Sequence, residues 1–165
     1  MSQILVIYGP TEGQTAKVAR FIGDTLRAGG ISTDILDART SWPSPDSYAA
    51  VIVAASVHAS GYQRAVRRWV HAEAERLNAK PTAFVSVCLG VRQHEPKVDA
   101  ERTAIVDRFR TLTGWRPGIT KTVAGALPYS RYNWLKRWVM VRIVRKAGGD
   151  TDTSRDYEYT DWADL

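Results

Sequence analysis

Near its start the chain reads Ile4-Leu5-Val6-Ile7-Tyr8-Gly9-Pro10-Thr11-Glu12-Gly13-Gln14-Thr15. The run from Ile4 to Tyr8 is almost continuously apolar, which is typical of a central strand in a parallel sheet covered on both faces. The rest is rich in glycine and hydroxyl residues and leads into a segment where Val18, Ile22 and Leu26 recur at every fourth position. That spacing predicts a helix, which we expect to end at Gly29-Gly30. The stretch therefore predicts a strand, a loop and a helix, the first unit of an α/β fold.

The same alternation continues along the chain and predicts a five-stranded parallel sheet. Strands are predicted over residues 4–8, 32–37, 50–55, 82–89 and 120–125. Besides the first helix, helices are predicted over 62–77 and 99–112, and a proline-containing loop over 38–47. We expect one domain over residues 1–165, a three-layer α/β sandwich with the doubly wound strand order 2-1-3-4-5.

The composition limits what else the chain can be. Its 165 residues, 44% of them hydrophobic, suffice to bury a core without disulfides or structural metal ions. Cys88 is the one cysteine, which rules out an internal disulfide and the paired spacing of a zinc site. No signal-peptide pattern follows Met1, and no apolar run approaches the roughly 18 residues of a spanning helix. We therefore expect a cytoplasmic protein that at most touches a membrane at its surface.

The loop from Gly9 to Thr15 predicts a phosphate site. It follows the carboxyl end of the first strand and opens a helix, whose first backbone N–H groups lack internal partners and favour an anion. The hydroxyls of Thr11 and Thr15 and the Gln14 amide are further donors. Because the loop contains no Lys or Arg, we expect amides and hydroxyls to hold the phosphate. The glycine-rich motifs of dinucleotide-binding and ATP-binding loops are absent, which makes an ATPase a poor interpretation.

The run from Tyr8 to Thr15 resembles the phosphate loop of flavodoxins, which ends in Gly-x-Thr. Pro10 and Glu12 depart from that pattern, since Pro10 lacks an N–H and Glu12 brings a carboxylate close to the phosphate. The resemblance implies FMN as the cofactor, with its ring between the loops that follow strands three and four. The cofactor-binding residues it implies are Pro10, Thr11, Glu12, Gly13, Gln14, Thr15, Ser56, Val57, His58, Ala59, Ser60, Gly61, Tyr62, Cys88, Leu89, Gly90 and Val91.

Within these loops Tyr62 is the candidate to stack on the flavin. Histidine is the side chain suited to proton transfer near neutral pH, so His58 could donate a proton, but a loop histidine is more often solvated, and we assign it no catalytic role. Cys88 we interpret as a small hydrophobic residue at a strand end. No catalytic acid or base is predicted.

Charge and aromatic residues concentrate in the last quarter of the chain. The net charge is +6, which favours acidic partners. Residues 131–146 carry six cations and no acid, whereas residues 150–164 carry six acids. The segments Gly125–Trp138, Gly148–Thr153 and Tyr157–Trp162 resemble the menaquinone-dependent protoporphyrinogen oxidases, a flavodoxin-like family of bacterial haem biosynthesis.

That resemblance implies a basic aromatic insertion over about 128–159, after strand five. It also implies FMN as sole cofactor and oxidation of protoporphyrinogen IX to protoporphyrin IX, with menaquinone or another quinone as acceptor. The family continues from Tyr159-Thr160-Asp161-Trp162 into a final helix, which is truncated or missing here. We expect either a shortened chain or another segment, such as Trp134 to Lys146, to cover that face of the sheet.

Tryptophan mixed with Arg and Lys is typical of segments at a membrane interface, which favours an anionic membrane surface as partner. A core-covering helix with cations that reach solvent is an equally good interpretation, and docking of porphyrin propionates is a third. The candidate substrate or membrane contacts are Tyr129, Arg131, Trp134, Arg137 and Trp138. Asp150, Asp152 and Asp156 lack the pattern of a calcium loop, so we expect them to cap a loop and predict no metal site.

Two other classes of function stay open. A flavodoxin-type electron carrier or NAD(P)H:quinone reductase would share the fold and cofactor but not the substrate. A non-enzymatic membrane or nucleic-acid binding module would lack a flavin, and nucleic acid is disfavoured because the basic segment is apolar between its charges. Assembly into a homo-oligomer is compatible with the sequence.

Overall fold

The computed structural model describes residues 3–9, 13–58, 61–89, 96–146 and 149–165. Five parallel strands form the central sheet in the order β2-β1-β3-β5-β6, which confirms the predicted order. They are β1 (Ile4–Gly9), β2 (Thr33–Asp37), β3 (Ala50–His58), β5 (Thr82–Cys88) and β6 (Ile119–Ala124). The short β4 (Gly61–Tyr62) adds an antiparallel pair to β3.

Helices cover both faces of this sheet. They are α1 (Gln14–Ala28), α2 (Arg64–Ala72), α3 (Ala74–Asn78) and α4 (Pro96–Thr113), whereas α5 (Trp134–Lys146) packs in a separate cluster beyond β6. Side chains alternate along the strands, so Leu5 and Ile7 of β1 pack with α2 and α4 while Val6 packs with α1. The buried aromatic residues Trp69, Phe84 and Trp115 lie on the α2 and α4 side.

The helix predicted over 62–77 is wrong in two respects. Gly61-Tyr62 turns back on Val57-His58 as a β-hairpin, so part of the predicted loop after strand three is sheet. The helical part is divided at Glu73, whose φ of −102° and ψ of 8° depart from helical values. Glu73 is buried and accepts a 2.6 Å hydrogen bond from Arg76, a contact that helical periodicity does not reveal.

The described residues between 126 and 159 form a small layer of their own beyond β6. Strand β7 (Ala126–Leu127) pairs antiparallel with β8 (Tyr157–Glu158), which directly follows Asp156. A short 3-10 helix, Tyr129–Arg131, and α5 lie between them. Inner residues of this layer form a cluster of Leu127, Tyr129, Tyr132 and Val144, with Met140 and Val141 packed against it.

The last residues of the chain pack on the α1 side of the sheet. Trp162 and Leu165 join the cluster around Val6 and Val18, and the Trp162 ring centroid lies 5.0 Å from that of Phe21. The expectation that residues 134–146 take this place is not met, since the inner side chains of α5 pack on the cluster around Tyr129 instead.

Candidate functional site

The carboxyl ends of β1, β3 and β5 meet at one edge of the sheet, where an α/β fold of this type binds its ligand. Gly9 is in register with Ala55, and Ser56 with Val87. The three segments predicted to hold FMN therefore leave the sheet side by side. Seven of the predicted residues lie outside the described ones and cannot be placed: Pro10, Thr11, Glu12, Ala59, Ser60, Gly90 and Val91.

The amino end of α1 is built to accept an anion. Gly13 precedes the helix with a left-handed φ of +94°, which a glycine adopts without steric cost, and it has no side chain with which to cap the helix. The first turn contains no acidic residue, so its N–H groups and the helix dipole act on a ligand unopposed by a carboxylate of that turn. Thr15 is buried there at 1% exposure.

The side chain of Gln14 makes a hydrogen bond within the protein. Its Nε2 donates a 2.7 Å hydrogen bond to Oγ1 of Thr160, and Thr160 Oγ1 in turn donates to the carbonyl of Ala124 over 2.7 Å. Lys17, one turn further along α1, forms a 2.8 Å ion pair with Glu158. These contacts join the amino end of α1 to β8 and to the end of β6.

An open cleft of about 480 Å³ lies between α1 and the residues that follow β6. Arg131 reaches across it, since its Nη1 lies only 2.6 Å from where a Cβ atom on Gly13 would stand. Glu158 lines the same cleft, and its pKa is below the ordinary value because Lys17 donates a hydrogen bond to it. The predicted phosphate site thus has a cationic side chain at its rim, although the loop itself contains none.

At the end of β3, three polar side chains form a connected group. Gln63 donates from Nε2 to Ser56 Oγ over 2.5 Å and accepts from the Ser56 N–H over 3.2 Å. The ring Nε2 of His58, which is exposed, lies 3.1 Å from Ser56 Oγ. Gln63 also lies against Gly9, where any Cβ would approach it to 3.0 Å. This group ties the segment after β3 to the end of β1.

Tyr62 is a core residue in this structure. It is 8% exposed, and its ring lies edge-on to Phe84 and Phe109 at centroid distances of 5.0 and 4.9 Å. Its hydroxyl lies 2.7 Å from Ser86 Oγ, and burial raises its pKa to about 12. The stacking role predicted for Tyr62 has no support in this placement, because the hairpin that carries it turns the side chain into the sheet.

The residues predicted after β5 lie at the strand end. Cys88 is half-buried and its carbonyl accepts from the Gly125 N–H over 3.3 Å. Leu89 packs against the cluster around Tyr129. These placements agree with a packing role for Cys88.

The five predicted substrate or membrane contacts fall into three groups. Trp134 and Trp138 are 79% and 55% exposed on α5. Tyr129 is fully buried and donates to the Asp150 carbonyl, and Arg137 donates to the carbonyls of Tyr129 and Tyr132. Tyr129 and Arg137 therefore hold the layer together, whereas Arg131 lies beside Gly13 as described above.

The acidic residues expected to cap a loop accept hydrogen bonds from that loop and from neighbouring segments. Asp156 accepts from the N–H and hydroxyl of Ser130 over 2.7 and 2.6 Å, which lowers its pKa. Asp150 accepts from the Tyr159 hydroxyl and Asp152 from Ser154. Among the residues that the structure describes, no three metal-ligating side chains come together.

A sequence model of the flavodoxin domain matches residues 5–154. The chain belongs to the flavodoxin domain family. It is 33% identical over 159 residues to the protoporphyrinogen IX dehydrogenase [quinone] of Escherichia coli strain K12, covering 96% of this chain and 87% of that protein. A protein of the same name from Leishmania major is 32% identical over 163 residues, covering 96% and 69% of the two chains.

Solved flavodoxins share the fold at low identity. Flavodoxin 1 from Bacillus cereus superposes with a TM-score of 0.54 at 16% identity, over 75% of this chain and 85% of its own. An archaeal flavodoxin gives a TM-score of 0.51 at 15% identity, over 73% and 82%. Family membership implies FMN as the cofactor. The residues present fit its anionic end, because the glycine-capped, acid-free start of α1 faces a cleft with Arg131 at its rim.

Sequence reasoning missed Gln63, Thr160 and the position of Arg131. Gln63 directly follows the predicted loop, and its amide indicates a hydrogen-bonding role, but the sequence does not identify the partner. Thr160 lies within a segment already singled out as unusual, but nothing in its sequence indicates a bond to Gln14, 146 positions away.

Proposed function

We propose that this protein is an FMN-dependent dehydrogenase that oxidises protoporphyrinogen IX and passes the electrons to a quinone at the membrane surface. The observation that carries the proposal is the likeness to proteins named protoporphyrinogen IX dehydrogenase [quinone], which extends over 96% of this chain and includes residues 126–159. FMN supplies the chemistry, since it accepts hydride equivalents from a reduced donor and delivers them to an acceptor.

The chain's own residues would bind and orient the reactants. The start of α1 would hold the phosphate, and Ser56, His58 and Gln63 would fix the backbone after β3, where the flavin ring lies in this fold family. His58 is exposed at this edge and so can reach a donor or acceptor that approaches from solvent. No described carboxylate or lysine needs to act as an acid or base, because the substrate's protons can leave to water.

The membrane part of the proposal rests on α5. Its exposed apolar side chains lie along one half of the helix and are Trp134, Leu135, Trp138, Val139 and Ile143. The opposite face is the one that packs on the protein, through Met140, Val141 and Val144. Arg142 lies 4.9 Å from the Trp138 ring, within the exposed half. A helix with one face docked and an outer face of tryptophans and cations fits a lipid interface.

The charges on α5 set the expected lipid preference. Lys136, Arg142 and Arg145 are exposed, and each basic residue near an anionic surface contributes about 1 kcal/mol. No helix in the described parts of the chain is long and apolar enough to cross a bilayer. We therefore propose that α5 lies on the surface, where the protein meets a quinone dissolved in the lipid.

Vesicle co-sedimentation tests the membrane part. W134S/W138S should reduce binding to vesicles with anionic phosphatidylglycerol, and binding should weaken with added salt. W42S is the matched control, because Trp42 is 52% exposed on another part of the surface. Equal binding of both variants and the parent protein would refute the role of α5.

Anaerobic mixing tests the donor. The flavin absorbance of the purified protein should bleach with protoporphyrinogen IX and not with NADH or NADPH. Bleaching by a nicotinamide alone would instead favour the NAD(P)H:quinone reductase. Bleaching only in the presence of a reductase protein would favour an electron carrier. This is the second candidate function, because the chain shares its fold with flavodoxins.

A further inference from the structure

The cation at the rim of the cleft beside α1 is Arg131, which lies far from α1 in the sequence. The loop from Gly9 to Thr15 has no Lys or Arg. Lys17, the first cation of α1, is already neutralised in part by its 2.8 Å ion pair with Glu158. A dianionic ligand at the start of α1 therefore meets no cation of its own loop.

Arg131 is held where it can provide that charge. Its N–H donates to the Pro128 carbonyl over 3.0 Å in the short helix that carries it. The preceding residue, Ser130, is fixed by two hydrogen bonds to Asp156 of 2.7 and 2.6 Å. These bonds fix the backbone that presents the Arg131 side chain to α1.

The side chain then lies directly against Gly13. A Cβ atom on Gly13 would stand 2.6 Å from Arg131 Nη1, closer than van der Waals contact permits. Glycine at this position serves two needs, because it allows the left-handed φ of +94° and leaves room for the guanidinium. Guanidinium groups bind phosphate oxygens through paired N–H donors.

We propose that Arg131 binds the terminal phosphate of FMN and thereby makes residues 126–159 part of the cofactor site. This rests on the proposed flavin function. It reassigns Arg131 from a contact with substrate or membrane to a contact with the cofactor. It also predicts coupling, because a ligand that contacts both α1 and Arg131 stabilises the docking of this layer against α1.

Comparison of FMN with riboflavin tests the proposal, since riboflavin lacks the phosphate. Each flavin is titrated into the flavin-depleted full chain and binding is followed by quenching of flavin fluorescence. R131Q should weaken FMN binding about ten- to hundredfold, the effect of losing a charged hydrogen-bonding partner. Riboflavin binding should change less than about twofold, because it makes no phosphate contact. R131K should fall between R131Q and the parent protein.

R116Q is the matched control, because Arg116 is exposed just before β6, at the opposite edge of the sheet from the carboxyl ends of the strands, and its loss should leave both affinities unchanged. Equal weakening of FMN and riboflavin by R131Q would overturn the proposal and indicate a purely structural role for Arg131. Unchanged FMN binding by R131Q would overturn it too, while the flavin function stands. A parent protein that binds neither flavin would overturn the proposed function together with this inference.

Discussion

Replacing Thr160 with valine tests how the layer of residues 126–159 is attached to the sheet. The Thr160 hydroxyl is buried, accepts a 2.7 Å hydrogen bond from Gln14 and donates one of 2.7 Å to the Ala124 carbonyl. Valine keeps the shape but removes both bonds and leaves a buried carbonyl without its donor. At about 0.5–1.5 kcal/mol for each bond, T160V should lower the free energy of unfolding by about 1–3 kcal/mol.

Urea denaturation and thermal melting measure this loss. For a chain of this length about 1 kcal/mol corresponds to roughly 2–4 °C, so we expect the Tm to fall by about 2–12 °C. T160S keeps the hydroxyl and should retain most of the stability. T120V is the matched control, because Thr120 is exposed on β6. If T160V proved as stable as T120V, the hydrogen-bonded link from α1 to β6 would not hold the layer in place.

Three further predictions follow from single contacts. G13A and G30A should each lose about 1–2 kcal/mol in urea denaturation, because both impose a left-handed φ on alanine. Only G13A places a Cβ against the end of the Arg131 side chain, which must then move aside, so only G13A should also weaken FMN binding; equal FMN affinities of the two variants would contradict that contact. Y62F should lose about 1 kcal/mol with the buried hydroxyl bond while the bound-flavin spectrum stays unchanged, and an altered spectrum would mean that Tyr62 touches the ring. The stability that ionised Glu158 contributes should be complete above its ordinary pKa of 4.5 and should be lost as the pH falls through its lowered pKa. The difference in the free energy of unfolding between the parent protein and E158Q should therefore disappear in acid. A difference that stayed constant with pH would rule out the ion pair with Lys17 as its source.

The sheet could be predicted from local pattern, because buried parallel strands are apolar runs and the helices between them repeat every three to four residues. Strand order and the position of α1 are confirmed. The hairpin at Gly61-Tyr62 could not be predicted from local sequence pattern, since a strand of two residues has no periodicity. Sequence pattern alone therefore favours Tyr62 as a residue that stacks on the flavin, whereas its hydroxyl lies against Ser86 in the core.

The base of the candidate site depends on contacts between distant parts of the sequence. The bond from Gln14 to Thr160 and the approach of Arg131 to Gly13 cross more than a hundred positions. Composition marks residues 131–146 as basic and aromatic but does not say which side chains face the protein. The structure separates them, since Arg137 donates to backbone carbonyls of the layer while Trp134 and Trp138 lie exposed.

Helix α5, which we propose contacts the membrane, has two faces with different environments. Its docked face includes Val144, which is 6% exposed, and its outer face includes Ile143, which is 54% exposed. Adjacent residues with opposite environments are what an amphipathic helix provides. We therefore expect α5 to stay folded against the protein whether or not lipid is present.

The most direct test of the central claim is turnover at a vesicle surface. FMN-loaded protein is mixed anaerobically with protoporphyrinogen IX and vesicles that contain menaquinone, and porphyrin fluorescence is followed with time. The proposal predicts porphyrin formation at a rate proportional to enzyme, abolished when either the flavin or the quinone is left out. Flavin-loaded protein that forms no porphyrin above the rate without enzyme would contradict it.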